Sequence, residues 1–127
     1  MNRTRLSEIK REKKKALFLR EVSSFIQKIS QDEPVVLKVF VTRVELSADS
    51  GICYIYFAGF NGKKDFDEAL EILKLYKPSM RSVLAKSLKL RYAPDLVFRF
   101  DEKQEKVQKM EELLEKIHEE LGEEDED

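Results

Sequence analysis

LKLRYAPDLVFRFDE, residues 88–102, decides the fold. A basic stretch with helical spacing runs through Arg91 and a single Pro94 straight into the alternation Leu96, Phe98, Phe100, which ends at Asp101. Alternating apolar residues mark a strand with one buried face, and no Gly, Asn or Ser loosens the passage into it. The helix end and the strand start are therefore expected to hold a fixed geometry.

Upstream of this junction the spacing predicts a helix over about 79–90, with Met80, Val83, Leu84 and Leu88 on one face and Arg81, Ser82, Ala85, Lys86 and Lys89 on the other. Pro78 is tolerated in its first turn and disfavours helical geometry in the residue before it. A preceding helix should thus end by Tyr76 or Lys77, giving a sharp bend at YKPS. Asp65 and Glu68 have the spacing of a capping box for that helix, which turns Phe66, Ala69, Leu70 and Leu73 inward. Further back, VVLKVFVTRVEL (35–46) and ICYIYFAGF (52–60) are rich in β-branched and aromatic residues, and SADSG joins them as a hairpin turn.

Toward the start, Leu19, Val22, Ile26 and Ile29 share one face of a helix over about 5–30 that Pro34 closes. Continued backwards, that face lands on Lys15 and then on Arg11 or Glu12. The first turns are expected to project as a basic arm carrying Lys10, Arg11, Lys13, Lys14 and Lys15. Past Asp101, residues 102–122 form an amphipathic helix with its stripe at Val107, Met110, Leu113, Leu114, Ile117 and Leu121, Gly122 as its stop, and EEDED (123–127) as a disordered acidic tail. The fold class is α+β: helix, two strands, two helices and a strand, αββααβ, with a three-stranded sheet, helices on one face and a C-terminal helix. The organisation is 1–101 as the folded domain, 102–122 as the helix and 123–127 as the tail.

The net charge of −1 conceals blocks of opposite sign. Residues 1–20 hold eight Lys/Arg against two acids, 71–100 seven against two, and 101–127 four against thirteen. Between Glu71 and Asp95 there is no acidic residue. Such clusters attract phosphates through Coulomb forces and counterion release, and bent helices add backbone N–H groups at a helix start, near Lys77 and Arg81. Tyr76 and Tyr92 flank the basic helix, as rim packing residues before stacking platforms.

Catalysis is poorly served by this composition. The chain has one His and one Cys, far apart, without a P-loop or a dinucleotide fingerprint. Cys53 fits a small buried hydrophobe and His118 an exposed helix residue. No catalytic residue, metal ligand set, cofactor or small-molecule substrate is expected. No apolar run nears the roughly 18 residues that cross a bilayer, so a cytoplasmic protein without membrane contact is expected, and a monomer. An adaptor that uses the charged C-terminal helix and acidic tail is the alternative; only RNA binding would weaken steeply with salt.

VTRVELSADSGICYIYF, MRSVLAKSLKLR and above all LRYAPDLVFRFD resemble the family of bacterial ribosome-binding factor A, over about residues 3–120. The resemblance implies a domain similar to type II KH folds. It also implies a partner, the small ribosomal subunit with its 16S RNA, whose late maturation the family assists, notably in the cold. The family's Ala-x-Gly bend is replaced here by Tyr76, Lys77 and Pro78; Pro78 has no N–H to donate, so Lys77 and Arg81 would act through charge. Candidate RNA contacts are Arg3, Arg5, Lys10, Arg11 and Lys14 on the arm, and Lys77, Arg81, Lys86, Lys89 and Arg91 on or beside the basic helix.

Overall fold

The strand after Pro94 forms where expected and pairs in parallel with the second strand of the hairpin, Ile52 opposite Asp95 and Phe57 opposite Phe100. The computed structural model describes the backbone of residues 3–126 and the side chains of 5–122. Its elements are α1 (Arg3–Ser30), β1 (Val39–Leu46), β2 (Ile52–Gly59), α2 (Lys63–Leu75), α3 (Lys77–Ser87), β3 (Asp95–Phe100) and α4 (Glu102–Glu126). The sheet order is β1-β2-β3, with β1 and β2 antiparallel. This is the α+β, αββααβ architecture, with α1, α2 and α3 against one face.

That face is apolar by alternation: Val44 and Leu46 of β1, Cys53, Ile55 and Phe57 of β2 and Leu96 of β3 are buried. Against them pack Phe18, Val22, Ile26 and Ile29 of α1, Phe66, Ala69 and Leu73 of α2, and Met80 and Leu84 of α3. Phe57 meets Phe66 and Phe98 with ring centroids 5.9 and 5.8 Å apart. Each large apolar side chain fully removed from water contributes about 1.5–3 kcal/mol, so this layer holds the helices in place. Cys53 lies inside it, and burial pushes its thiol up to about 12; it is a core residue, not a nucleophile.

Several boundaries differ from expectation. Residues 34–38 form a 3-10 turn and not the start of a strand: Pro34 sets the first φ, the Val36 N–H bonds Glu33 O at 3.0 Å, and Val36 is drawn into the core. Phe18, not Leu19, continues the buried stripe of α1. Asp65 is the third residue of α2 rather than its cap. Gly62 caps the helix, and the buried Asp65 carboxylate reaches back to accept the Asn61 N–H at 2.8 Å. This tight corner admits only Gly at 59, where a Cβ would sit 2.3 Å from Gly62 O. α4 runs past Gly122 to Glu126, since one glycine costs only about 1 kcal/mol in a helix and no proline follows. The side chains of the tail, 123–127, lie outside the described residues.

The junction at 88–95 explains its own compression. α3 ends in a Schellman motif: the Leu90 N–H donates to Ala85 O at 2.9 Å and the Lys89 N–H to Lys86 O at 3.3 Å. Lys89 takes the left-handed conformation usual for glycine, with φ 53°. Arg81 then reaches across, its Nε donating to Pro94 O at 2.9 Å and Nη2 to Ala93 O at 3.5 Å. The Asp95 N–H bonds Gly51 O at 2.8 Å, which seats β3 beside the hairpin turn.

Candidate RNA-binding surface

The hairpin turn, residues 47–51, marks one end of the sheet, and both basic segments of the chain arrive there. α1 passes it where Arg11 Nη2 donates to Leu46 O at 2.6 Å and more weakly to Ser47 O at 3.5 Å. The loop from Lys89 to Pro94 reaches the same end through Asp95 and Gly51. Sequence distance of some seventy-five residues is thus closed by topology.

On the arm, Arg5 and Lys10 are exposed and Lys14 is half-buried, with Lys13 exposed beside them. Arg11 and Lys15 do not project freely as expected. Lys15 Nζ lies 3.0 Å from Glu45 and 3.5 Å from Glu12, and Arg11 is held by the hairpin carbonyls. Both continue the buried stripe of α1, and where that stripe leaves the apolar core they pin the helix to the polar end of β1. The hydrogen bond to Glu45 holds the Lys15 ammonium above its ordinary pKa. The side chain of Arg3 lies outside the described residues.

The five candidates of the second segment divide by role. Lys77 opens α3 with its Nζ 5.4 Å from the centre of the Phe98 ring, and Arg81 is committed to the carbonyls before β3. Lys86 lies five residues on from Arg81, about 140° around the helix, so the two do not share the face that the sequence predicts. Lys86, Lys89 and Arg91 are exposed, and Arg91 carries its guanidinium carbon 5.4 Å from the Tyr92 ring. Among the described residues none of Lys77, Arg81, Lys86, Lys89 and Arg91 lies within ion-pair distance of a carboxylate, whereas Arg43, Lys38 and Lys74 do. Tyr76 is a packing residue: its hydroxyl donates to Glu33 at 3.1 Å and its ring meets Phe25 edge-on at 6.5 Å. Tyr92, by contrast, is 74% exposed and does not pack at the rim.

A network not anticipated from the sequence joins the sheet to α4. The Asp101 side chain is 4% exposed and accepts the Thr42 hydroxyl at 2.6 Å, Arg43 Nε at 3.3 Å and the Gln104 N–H at 3.1 Å, the last as the cap of α4. Burial alone would raise its pKa; these three donors outweigh burial and hold the carboxyl below its ordinary value. The irregular pairing between Val41 and Arg43 aims Thr42 at it. On the same open side of the sheet, Arg43 lies 3.7 Å from the Tyr56 ring centre and Arg99 4.4 Å from that of Tyr54. The alternation in ICYIYF already puts both tyrosines opposite the core. Their arginine partners come from other strands, which spacing within one strand does not reveal.

Residues 10–114 match the family model described as ribosome-binding factor A. The chain belongs to the ribosome-binding factor A family. A ribosome-binding factor A from Brevibacillus brevis is 34% identical over 126 residues, covering 99% of this chain and 99% of that protein. One from Clostridium tetani is 31% identical over 79% of this chain and 83% of its own length. The crystal structure of ribosome-binding factor A from Thermus thermophilus shares the fold, with a TM-score of 0.61 over 71% of this chain and 93% of that one at 23% identity. The KH-like order accords with this ribosome-binding factor A fold, and family membership makes the chain a ribosome-binding factor. No described helix is long and apolar enough to cross a membrane.

Lys89 offers a variant that separates charge from stability. Left-handed backbone costs a residue with a Cβ about 1–2 kcal/mol, partly offset when glycine raises the entropy of the unfolded chain. Lys89→Gly should therefore raise stability by about 0.5–1 kcal/mol, read as a higher Tm in thermal denaturation, while weakening RNA binding. A lower Tm would contradict the assignment of strain at this residue.

Proposed function

We propose that this protein is a non-catalytic assembly factor of the cytoplasm that binds the immature small (30S) ribosomal subunit and assists late maturation of its 16S RNA through contacts with RNA phosphates. The observation that carries this reading is the convergence of two cationic segments, Lys10, Lys13 and Lys14 with Lys86, Lys89 and Arg91, at one end of the sheet without carboxylate partners among the described residues. Residues 1–101 form the RNA-binding domain in this reading. Lys77 adds charge along the flank of β3, while Arg81 acts by shaping the loop that presents Lys89 and Arg91. The relatives' name points the same way, to a ribosomal partner.

Co-sedimentation tests the reading with small subunits purified from cells depleted of the protein, compared with subunits from actively translating ribosomes. Stronger binding to the immature particles is expected. Equal binding to both, or binding to neither, would refute a role in late maturation.

A further inference from the structure

The open side of the sheet, away from the helices, carries a row of side chains that crosses all three strands. Arg43 of β1 lies opposite Tyr56 of β2, and Tyr56 lies beside Arg99 of β3. The Arg43 guanidinium carbon stands 3.7 Å from the centre of the Tyr56 ring, the van der Waals contact of two flat groups, so the guanidinium lies along the ring. Its edges are also taken: Nε donates to Asp101 at 3.3 Å and Nη1 to Glu45 at 3.2 Å. A ring beneath and carboxylates at two edges fix the plane of Arg43. The side chain is still 39% exposed, and the plane turned away from Tyr56 is what remains open.

Two carboxylates already neutralise Arg43, so a phosphate gains little there. An open, immobilised guanidinium plane offers stacking instead, and an unpaired nucleobase stacks on such planes. Arg99 differs. It is exposed, has no ion pair among the described residues, and lies over the Tyr54 ring at 4.4 Å with Nη1 3.5 Å from the Tyr56 hydroxyl. Two guanidinium groups therefore touch one tyrosine, one locked and neutralised, the other free to meet an anion. Beyond Tyr56 the face runs into a cleft lined by Phe100, Lys103 and Lys106; both lysines are exposed and unpaired among the described residues. Against these cations stand Asp101 and Glu45, both engaged, Glu102 beside the cleft and Asp95 at the hairpin end. The face is thus close to neutral, and stacking rather than bulk charge selects its ligand.

We propose that the open face of the sheet is a second RNA site, one that takes a single-stranded segment: an unpaired base stacks on the outer plane of Arg43 above Tyr56, and the phosphate joined to it meets Arg99. That the ligand is RNA rests on the function proposed above; the fixed planar platform does not. The site lies on the side of the sheet away from α3, and it reads the flat face of a base, whereas Lys86, Lys89 and Arg91 meet phosphates alone.

NMR chemical-shift mapping of the full chain at ~0.15 M salt, with hexaadenylate and with an abasic hexamer that carries the same phosphates, tests the proposal. The ring resonances of Tyr54 and Tyr56 should shift with hexaadenylate, and the abasic chain should bind about tenfold more weakly, the usual effect of losing a stacked base. Arg43→Lys keeps the charge and loses the plane. It should weaken hexaadenylate binding by about tenfold and leave the abasic hexamer unchanged, a split that a merely structural role would not produce. The triple Glu variant of Lys86, Lys89 and Arg91 should lose small-subunit binding and still shift both tyrosines with hexaadenylate, so this site and the hairpin-end reading fail separately. Loss of the tyrosine shifts in that variant, equal affinity for the two hexamers, or an Arg43→Lys variant that binds hexaadenylate like the parent would each overturn the proposal. So would tyrosines unshifted in the parent, which would leave a planar side chain of a partner protein as the occupant.

Discussion

Replacing Lys86, Lys89 and Arg91 together by Glu is expected to reduce small-subunit binding by about 50-fold or more at ~0.15 M salt. Counterion release sets that magnitude: three lost phosphate contacts at a slope of about 0.7 each amount to about 1.7 decades, and the three added negative charges repel the RNA further. The fold should survive, because all three side chains are exposed and none is in an ion pair among the described residues. The cost from glutamates near the negative end of α3 is only about 0.3–1 kcal/mol each. Circular dichroism and co-sedimentation on the same samples separate the outcomes. A folded triple variant that binds like the parent would remove the α3–β3 loop from the interface. Reversing Arg81 would be a poorer test, since loss of its bonds to Ala93 and Pro94 would disturb the loop itself.

Asp101→Ala is expected to cost about 3 kcal/mol in equilibrium unfolding. The helix cap accounts for about 1 kcal/mol, and the Thr42 hydroxyl and Arg43 guanidinium left facing a void account for the rest. Asp101→Asn keeps the size and most of the cap but loses the charge, so its cost should be smaller. The depressed pKa adds a pH signature. A carboxyl whose folded pKa lies below its unfolded value contributes stability that is fully present above the ordinary Asp value of about 3.9. That contribution is lost as pH falls through the lower folded value. The parent should therefore lose stability more steeply than Asp101→Asn below about pH 4. Identical acid limbs would mean that Asp101 is not held by these donors.

How much of this was legible beforehand depends on what kind of partner each residue has. The passage through Pro94, the hairpin and the bend at Tyr76 were readable because their determinants are local: proline geometry, alternation and turn residues. Val36 was not, because the choice between a strand and a 3-10 turn at VVLK is made by Pro34 and by a core that only the assembled helices define. Arg11 and Arg81 look like any other cations in a basic run. Their partners are backbone carbonyls, 35 and 13 residues away for the shortest contacts, and a carbonyl leaves no mark in composition. The α4 stripe was visible as a pattern, but its residues are exposed, and an apolar period does not state whether a face packs within its own chain.

The central claim is that cations gathered at the hairpin end of the sheet meet RNA phosphates, and the salt dependence of small-subunit binding tests it most directly. With five or six such contacts, log affinity against log salt should fall with a slope of about −4, and the triple Glu variant should show about half of that. A slope shallower than about −1 for the parent would contradict phosphate recognition and leave an apolar protein contact as the source of binding.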